Sequence, residues 1–310
     1  MDKNVAVYGT LLVLLLLEIA LIKASIRRKI SDWFNSTWEG FLLLPLTVLF
    51  LNTALLAGTG NWSVESFFGL ILYFSLPMTA VALGNLKKIR QSKWGNTLID
   101  LSIIVLLWLP MEFSLFKTIF AIKENYFLIT FSAVIFGLIL YTGFRKRELS
   151  LDWSFKKDDL RLVGKFFFFL AIIFVPVTLA IGFTKLGLSH KIANAPYLAP
   201  LWLIGIWFAP ALVEETIFRG IIQNVLIEKL KPALGIIIAS VIFGFSHLNN
   251  KEGGYRFPNW PYVILATVAG LAYGYVYYRR KAKGSKNALG TSALLHCLVD
   301  FIWFLFLRAR

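Results

Sequence analysis

The chain has 310 residues, of which 58% are hydrophobic and 16% are charged, and its formal net charge is +15. A water-soluble domain is usually less than half apolar, so this composition excludes an ordinary soluble fold. The positive charge does not indicate a nucleic-acid partner, because the basic residues lie in short runs between apolar segments, as the positive-inside bias of membrane proteins predicts. A single cysteine, Cys297, excludes an intrachain disulfide and a CxxC metal or redox motif.

Apolar segments follow one another along the whole chain, most of them long enough to cross a bilayer as a helix. Open sheet edges cannot be satisfied in lipid, and the alternating pattern of a membrane barrel does not occur. We therefore predict an all-α, polytopic transmembrane helical bundle with about 8–10 membrane segments. The candidate segments are 5–22, 40–58, 66–84, 98–116, 126–144, 163–184, 200–228, 233–248, 261–279 and 288–307.

The loops between these segments differ in charge. Most lysines and arginines lie in the loops that follow the first, third, fifth, seventh and ninth segments, which predicts that these loops face the cytoplasm. The expected location is the cytoplasmic membrane of a bacterium or an archaeon, with the lipid bilayer as a direct partner.

The longest polar stretch, residues 144–162, suggests a boundary between two parts of the chain. We expect residues 1–162 to form an N-terminal membrane region of unknown role and residues 163–310 to form a core that carries the functional site. Segment 200–228 is longer than a bilayer requires, and Pro210 is expected to break or kink it.

The second part carries ionisable residues inside its apolar segments. Each such residue is costly in a membrane and is therefore a site hypothesis. Counted from the predicted cytoplasmic ends, groups on three different helices lie at similar depth, near mid-bilayer or slightly toward the outer face. We therefore expect one shared polar site. Its candidate residues are Glu214, Glu215, Arg219, His247, His296 and Asp300.

Spacing divides these candidates by helical face. Glu215 and Arg219 are four residues apart and can form an ion pair, whereas Glu214 points about 100° away. His296 and Asp300 are also four residues apart, so the carboxylate can orient the imidazole.

Several chemistries fit this set. A carboxylate base, two imidazoles and a second carboxylate suit the activation of water. The same four groups would also make an acceptable zinc site for a metalloprotease, although HExxH is absent. A proton-coupled transporter could use buried carboxylates as a relay, although here the polar groups fall in one half of the chain. A non-catalytic scaffold is the remaining alternative.

Three short motifs carry a resemblance to a known family. EETIFR (214–219), FGFSH (243–247) and HCLVD (296–300) resemble the motifs EExxxR, FxxxH and HxxxN/D. These belong to the CAAX prenyl protease and bacteriocin-processing family, also called CPBP or Abi, which includes the Ras-converting CAAX endopeptidases. The resemblance covers roughly residues 163–310.

The resemblance implies a glutamate-type intramembrane endopeptidase without a cofactor. By position, Glu214 would be the general base and would activate water together with His247, while Glu215 and Arg219 would form a supporting ion pair. His296 would stabilise the oxyanion. The best-known members carry Asn where this chain has Asp300, so we assign Asp300 to orienting His296.

The implied partner is a membrane-associated peptide or protein substrate. Cleavage would fall near its membrane-embedded end. A C-terminal sorting or anchor segment, a peptide leader and a CAAX-type tail all meet this requirement.

Overall fold

The computed structural model describes residues 3–35, 38–113, 115–118 and 126–307. The regular secondary structure within these ranges is helical throughout, which confirms the predicted all-α class. Backbone contacts divide the chain into two compact units, Met1–Glu148 and Leu149–Arg310.

The first unit contains helices of very different length. Its long helices are almost uniformly apolar, as expected for segments surrounded by lipid and by each other. The described elements are α1 (Lys3–Ile22), α2 (Ala24–Asn35), α3 (Trp38–Gly58), α4 (Val64–Gly84), α5 (Lys87–Gln91), α6 (Gly95–Glu112), α7 (Leu115–Thr118) and α8 (Tyr126–Ile139), which continues as a π turn over Leu140–Phe144.

Buried polar contacts join the helices of this unit. Asn52 on α3 donates from Nδ2 to Ser132 Oγ on α8 at 2.8 Å. The Tyr73 hydroxyl on α4 donates to the Leu107 carbonyl on α6 at 2.7 Å. Such bonds fix helix pairs where lipid supplies no hydrophobic driving force between them.

The second unit is built from a few long helices and one composite helix. Its elements are α9 (Lys157–Ala180), α10 (His190–Asn194), α11 (Ala199–Ile206), α12 (Leu212–Glu215), α13 (Asn224–Lys229), α14 (Pro232–Phe245), α15 (Trp260–Ala282) and α16 (Ala288–Ile302). Helix α16 continues as a π turn, Trp303–Leu307.

Helices α11, α12 and α13 belong to one continuous helix, Pro196–Lys229, which we call the long helix. Two π-helical stretches, Trp207–Ala211 and Thr216–Gln223, flank α12 within it. We expected Pro210 to break or kink this helix, and the helix continues through the proline without a break. The proline lacks an N–H, and the helix passes it with π geometry, in which Leu212 N–H bonds the Trp207 carbonyl.

Close backbone approaches bring the helices of the second unit together. Gly244 on α14 lies against α15 so tightly that a Cβ there would collide with Thr267 Oγ1 and come within 2.6 Å of the Val263 carbonyl oxygen. Gly274 on α15 similarly leaves room for the Gln223 side chain, whose Nε2 donates to the Gly274 carbonyl at 3.0 Å. Small residues at such points are typical of membrane helix packing.

Within the described ranges, each predicted apolar segment overlaps at least one helix. Within the described ranges, seven helices are long and apolar enough to cross a membrane, and two further apolar helices, Gly95–Pro110 and Pro232–Phe245, are shorter. The largest difference in bounds is at α9, which begins at Lys157 rather than at residue 163. Its polar first turn contains Asp159, which accepts from the Lys156 backbone N–H and pairs with Arg280.

Candidate active site

Glu215 lies at the centre of a buried polar cluster in the second unit. Its side chain is fully shielded from solvent. Oε2 accepts a hydrogen bond from Ser292 Oγ at 2.6 Å and lies 3.2 Å from Arg219 Nε. Oε1 lies 3.1 Å from His296 Nδ1. One carboxylate therefore connects the long helix to α16.

Arg219 forms the predicted ion pair with Glu215. It also makes contacts that the spacing did not predict. Nη2 donates to the Gly270 carbonyl on α15 at 3.3 Å. The guanidinium carbon lies 4.5 Å from the ring centre of Phe243 and 5.5 Å from that of Tyr273. A fully buried cation is tolerated here because a carboxylate, a carbonyl and two aromatic faces surround it.

The His296 ring contacts aromatic rings, and both of its nitrogens face carboxylates. Its ring stacks on Tyr273 with centroids 4.7 Å apart and meets the edge of Phe243 at 5.7 Å. Nδ1 faces Glu215, while Nε2 lies 3.4 Å from Asp300 Oδ2 and 3.9 Å from Glu214 Oε2. Carboxylate oxygens only accept hydrogen bonds when ionised, so this arrangement is satisfied when both ring nitrogens carry protons.

Glu214 is the least engaged member of the cluster. About a third of its side chain is exposed, at 31%, yet the Oε2 atom itself is shielded from solvent. Oε2 has no hydrogen-bond partner among the residues that the structure describes. The adjacent Glu215 takes up Arg219, as the spacing predicted, and this leaves the Glu214 carboxylate available for other chemistry.

His247 lies just beyond the end of α14, in a turn. Its Nδ1 lies 2.9 Å from the Phe243 carbonyl oxygen and 3.1 Å from Ser246 Oγ. Because the carbonyl can only accept, this contact assigns the proton to Nδ1 and leaves Nε2 with a lone pair. The ring also packs edge-on against Tyr262 with centroids 4.6 Å apart.

A cavity of about 220 Å³ brings His247, His296 and Asp300 together. Most of its remaining wall is apolar and aromatic, including Trp303 and Phe304 on the π turn that continues α16. Glu214 is not part of this wall but lies behind it, beside His296. The structure thus gathers all six predicted residues, with Glu215 and Arg219 buried beneath the cavity.

The sequence analysis did not predict three residues that contribute to this site, namely Ser292, Tyr273 and Glu252. Ser292 precedes His296 by four residues, as His296 precedes Asp300, so the i, i+4 spacing on α16 was a signal that could have revealed it. Tyr273 carried no such signal. Glu252 lines this cavity and also a neighbouring one of about 370 Å³, and only the course of the loop after α14 places it there.

The loop that carries Glu252 is fastened to α15 by Asn259. This fully buried side chain donates from Nδ2 to the carbonyls of Asn250 and Glu252, at 2.8 and 3.1 Å. Its Oδ1 accepts from the Tyr262 backbone N–H at 3.2 Å and so caps α15. His247 is therefore carried on a turn whose far end is fixed.

The part of the chain that the structure describes contains no preformed set of metal ligands. No group of three or more His, Cys, Asp or Glu side chains there is arranged to hold an ion.

Fold and site together define the class of protein. The chain is an integral, multi-pass membrane protein with an ionisable cluster enclosed between its helices. Residues 196–302 match the sequence model of the Rce1-like family, described as type II CAAX prenyl endopeptidase Rce1-like. The match confirms the resemblance that the three motifs indicated, includes all six candidate residues and supports intramembrane protease activity.

The match covers about a third of the chain and none of the first unit. No curated protein and no solved structure shows significant similarity to the chain.

Proposed function

We propose that the chain is a glutamate-type intramembrane endopeptidase in which Glu214 is the general base. One observation carries this assignment: Glu214 Oε2 is shielded from water, has no hydrogen-bond partner among the described side chains and backbone, and lies 3.9 Å from an imidazole that lines the cavity. Because 31% of the Glu214 side chain is exposed, water can reach the carboxylate, and no competing hydrogen bond within the described residues occupies Oε2.

His247 assists this step in the proposal. Its Nε2 carries a lone pair, since Nδ1 faces the Phe243 carbonyl, and its ring borders the cavity. A water molecule gives one proton to Glu214 and donates a hydrogen bond to His247 Nε2. Its oxygen then attacks the carbonyl carbon of the scissile bond. The C–N bond then breaks, and the proton passes to the departing amine.

His296 supplies the positive charge that the tetrahedral intermediate requires. Glu215 orients the ring through Nδ1, and Nε2–H faces Asp300 in the resting site. We infer that the substrate oxyanion shares or takes over this Nε2–H, so that Asp300 holds the donor in place until substrate arrives. This division gives Glu215 the orienting role that the sequence had suggested for Asp300.

The substrate in this proposal is a lipophilic segment of a membrane-associated peptide or protein. The cavity wall is mostly apolar, which favours an apolar side chain next to the scissile bond. A C-terminal anchor or sorting segment, a leader peptide and a CAAX-type tail are the candidates to compare.

The decisive experiment compares wild type with Glu214→Gln on fluorogenic peptides representing these three substrate types. We expect kcat/KM to fall by about 10²–10⁴, the contribution of a general base. Glu228→Gln is the matched control, because Glu228 lies on the same long helix and is exposed.

Repeating the cleavage assay in the presence of a chelator distinguishes the glutamate-type protease from a zinc metalloprotease. Activity that survives chelation but is lost in Glu214→Gln would support the proposal. Activity lost on chelation and restored by zinc would assign a metalloprotease, and full activity of Glu214→Gln would exclude Glu214 as the base.

A further inference from the structure

Another polar cavity lies in the first unit, at the ends of three helices. It has a volume of about 480 Å³ and lies where α4 ends, α6 begins and the π turn after α8 ends. Two of these helices are among those long enough to cross a membrane, and both end at the cavity. The cavity therefore lies at the level of the lipid head groups, on the face that the basic loops assign to the cytoplasm.

Arg145 is a buried side chain in the wall of this cavity, and hydrogen bonds fix its position. Only 8% of its side chain is exposed, and Nε donates to Asp100 Oδ1 at 2.7 Å. Nη2 bonds the Asn96 carbonyl at 3.3 Å and its Oδ1 at 3.1 Å. These hydrogen bonds use Nε and Nη2 of the guanidinium, so Nη1 is the nitrogen we assign to a ligand.

Gly84, the last residue of α4, makes this placement possible. A Cβ at position 84 would lie 2.9 Å from Arg145 Nη1 and 3.0 Å from Ile99 Cγ2. The absence of a side chain lets the guanidinium lie against the end of the helix, where it forms part of the cavity wall.

Charge in the cavity is unbalanced. Its wall includes Arg90, Arg145, Lys146 and Arg147. The buried Asp100 behind it is engaged by two of these, since Arg147 also reaches its Oδ2, from Nη2 at 2.5 Å. The described wall carries these four cations and no carboxylate, with Asp100 behind it, so we take the cavity to be positively charged. Arg90 and Lys146 are exposed there.

We propose that this cavity binds a phosphate group, carried by the head group of an anionic phospholipid or by a soluble phosphate. Guanidinium groups bind phosphate through paired N–H donors, and Arg145 is held ready for such a contact. Basic pockets between membrane helices on the cytoplasmic side are a known mode of phospholipid recognition. The inference concerns the first unit and does not depend on protease activity.

The test titrates phosphatidylglycerol into the purified full chain in a nonionic detergent and counts bound lipid by native mass spectrometry. Arg90→Gln/Lys146→Gln removes two exposed cations of the wall, and we expect it to weaken binding by about 10- to 30-fold. The matched control is Lys87→Gln/Lys88→Gln, which removes equal charge from α5 outside the cavity. A parallel titration uses inorganic phosphate, read by thermal unfolding at constant ionic strength.

The outcomes separate the sources. Lipid binding that is weakened in the cavity variant but changes less than about twofold in the control supports a phospholipid site. The same pattern with inorganic phosphate alone supports a site for a soluble phosphate. Equal weakening in both variants, or no binding of either probe by wild type, overturns the proposal. Unchanged melting temperatures verify that both variants are folded.

Discussion

At the scale of residues, the site shows how the one buried carboxylate of Glu215 can bind three partners, Arg219, Ser292 and His296. Spacing along the long helix correctly paired Glu215 with Arg219. It did not indicate that Glu215 would also hold His296, 81 positions away in the chain. Removing one member of such a buried pair leaves the other charge without compensation, so these residues act as one unit.

Ser292 provides a test of this unit that leaves the proposed reacting groups intact. Ser292→Ala removes a 2.6 Å hydrogen bond to Glu215 and a 2.9 Å bond to the Tyr273 carbonyl. We expect a loss of about 1.5–3 kcal/mol in the free energy of unfolding, the usual value for a bond to a charged group. Because Glu215 positions His296, kcat should also fall while KM stays unchanged.

The control for this change is Ser240→Ala. Ser240 is also buried, but its hydroxyl donates within its own helix, to the Ile236 carbonyl at 2.7 Å. Thermal unfolding and peptide cleavage should both remain near wild type there. A Ser292→Ala protein with normal stability and normal kcat would show that this hydrogen bond does not position the site.

At the scale of elements, the long helix departs from regular α geometry on both sides of Glu214 and Glu215. A π turn adds a residue to the helical ladder and so changes which side chains share a face. Such turns occur frequently at functional sites. Here they coincide with a helix that must present Glu214 near the cavity and Glu215 beneath it.

The contact between α14 and α15 decides where His247 lies, and Gly244 controls that contact. Gly244→Ala would place a Cβ against Thr267 and the Val263 carbonyl. We expect the two helices to separate, the melting temperature to fall and activity to be lost, because His247 follows α14 by two residues. Differential scanning fluorimetry and the cleavage assay provide the measurements.

Gly164→Ala on α9 is the matched control, since within the described residues a Cβ there would meet nothing within 4 Å beyond its own helix backbone and chain neighbours. It should leave stability unchanged or raise it by up to about 1 kcal/mol, the usual gain of alanine over glycine within a helix. Similar losses in both variants would show that the Gly244 contact has no special importance.

At the scale of the whole molecule, the site is closer to one face of the second unit. The cavity of about 370 Å³ that adjoins it is lined by the loops after α9 and α14 and by the end of α16. The basic loop pattern assigns this face to the outside of the cell. A site open to that face would favour exported substrates.

Cysteine labelling tests this orientation, and the chain is well suited to it because its single native cysteine, Cys297, is buried. We expect Lys185→Cys and Lys251→Cys to react with an impermeant maleimide in intact cells. Lys231→Cys and Lys283→Cys should react only after permeabilisation. The reverse pattern would place the site toward the cytoplasm and favour cytoplasmic substrates.

Much of this protein was determined by local properties of the sequence. Apolar runs long enough to span a bilayer predicted the helices, because lipid leaves the backbone few other ways to satisfy its hydrogen bonds. Charged groups placed at similar depth predicted one shared site, and i, i+4 spacing paired Glu215 with Arg219. The catalytic roles of Glu214, His247, His296 and Asp300 remain predictions.

Only the tertiary structure decided how these groups meet. The stacking of His296 on Tyr273, the bond from Ser292 to Glu215 and the position of Glu252 depend on contacts between residues far apart in the chain. The same is true of the cationic cavity around Arg145, where Gly84 provides space and Asp100 fixes the guanidinium. A local pattern determines a helix and its faces, whereas the neighbour of each face is set by how all the helices pack together.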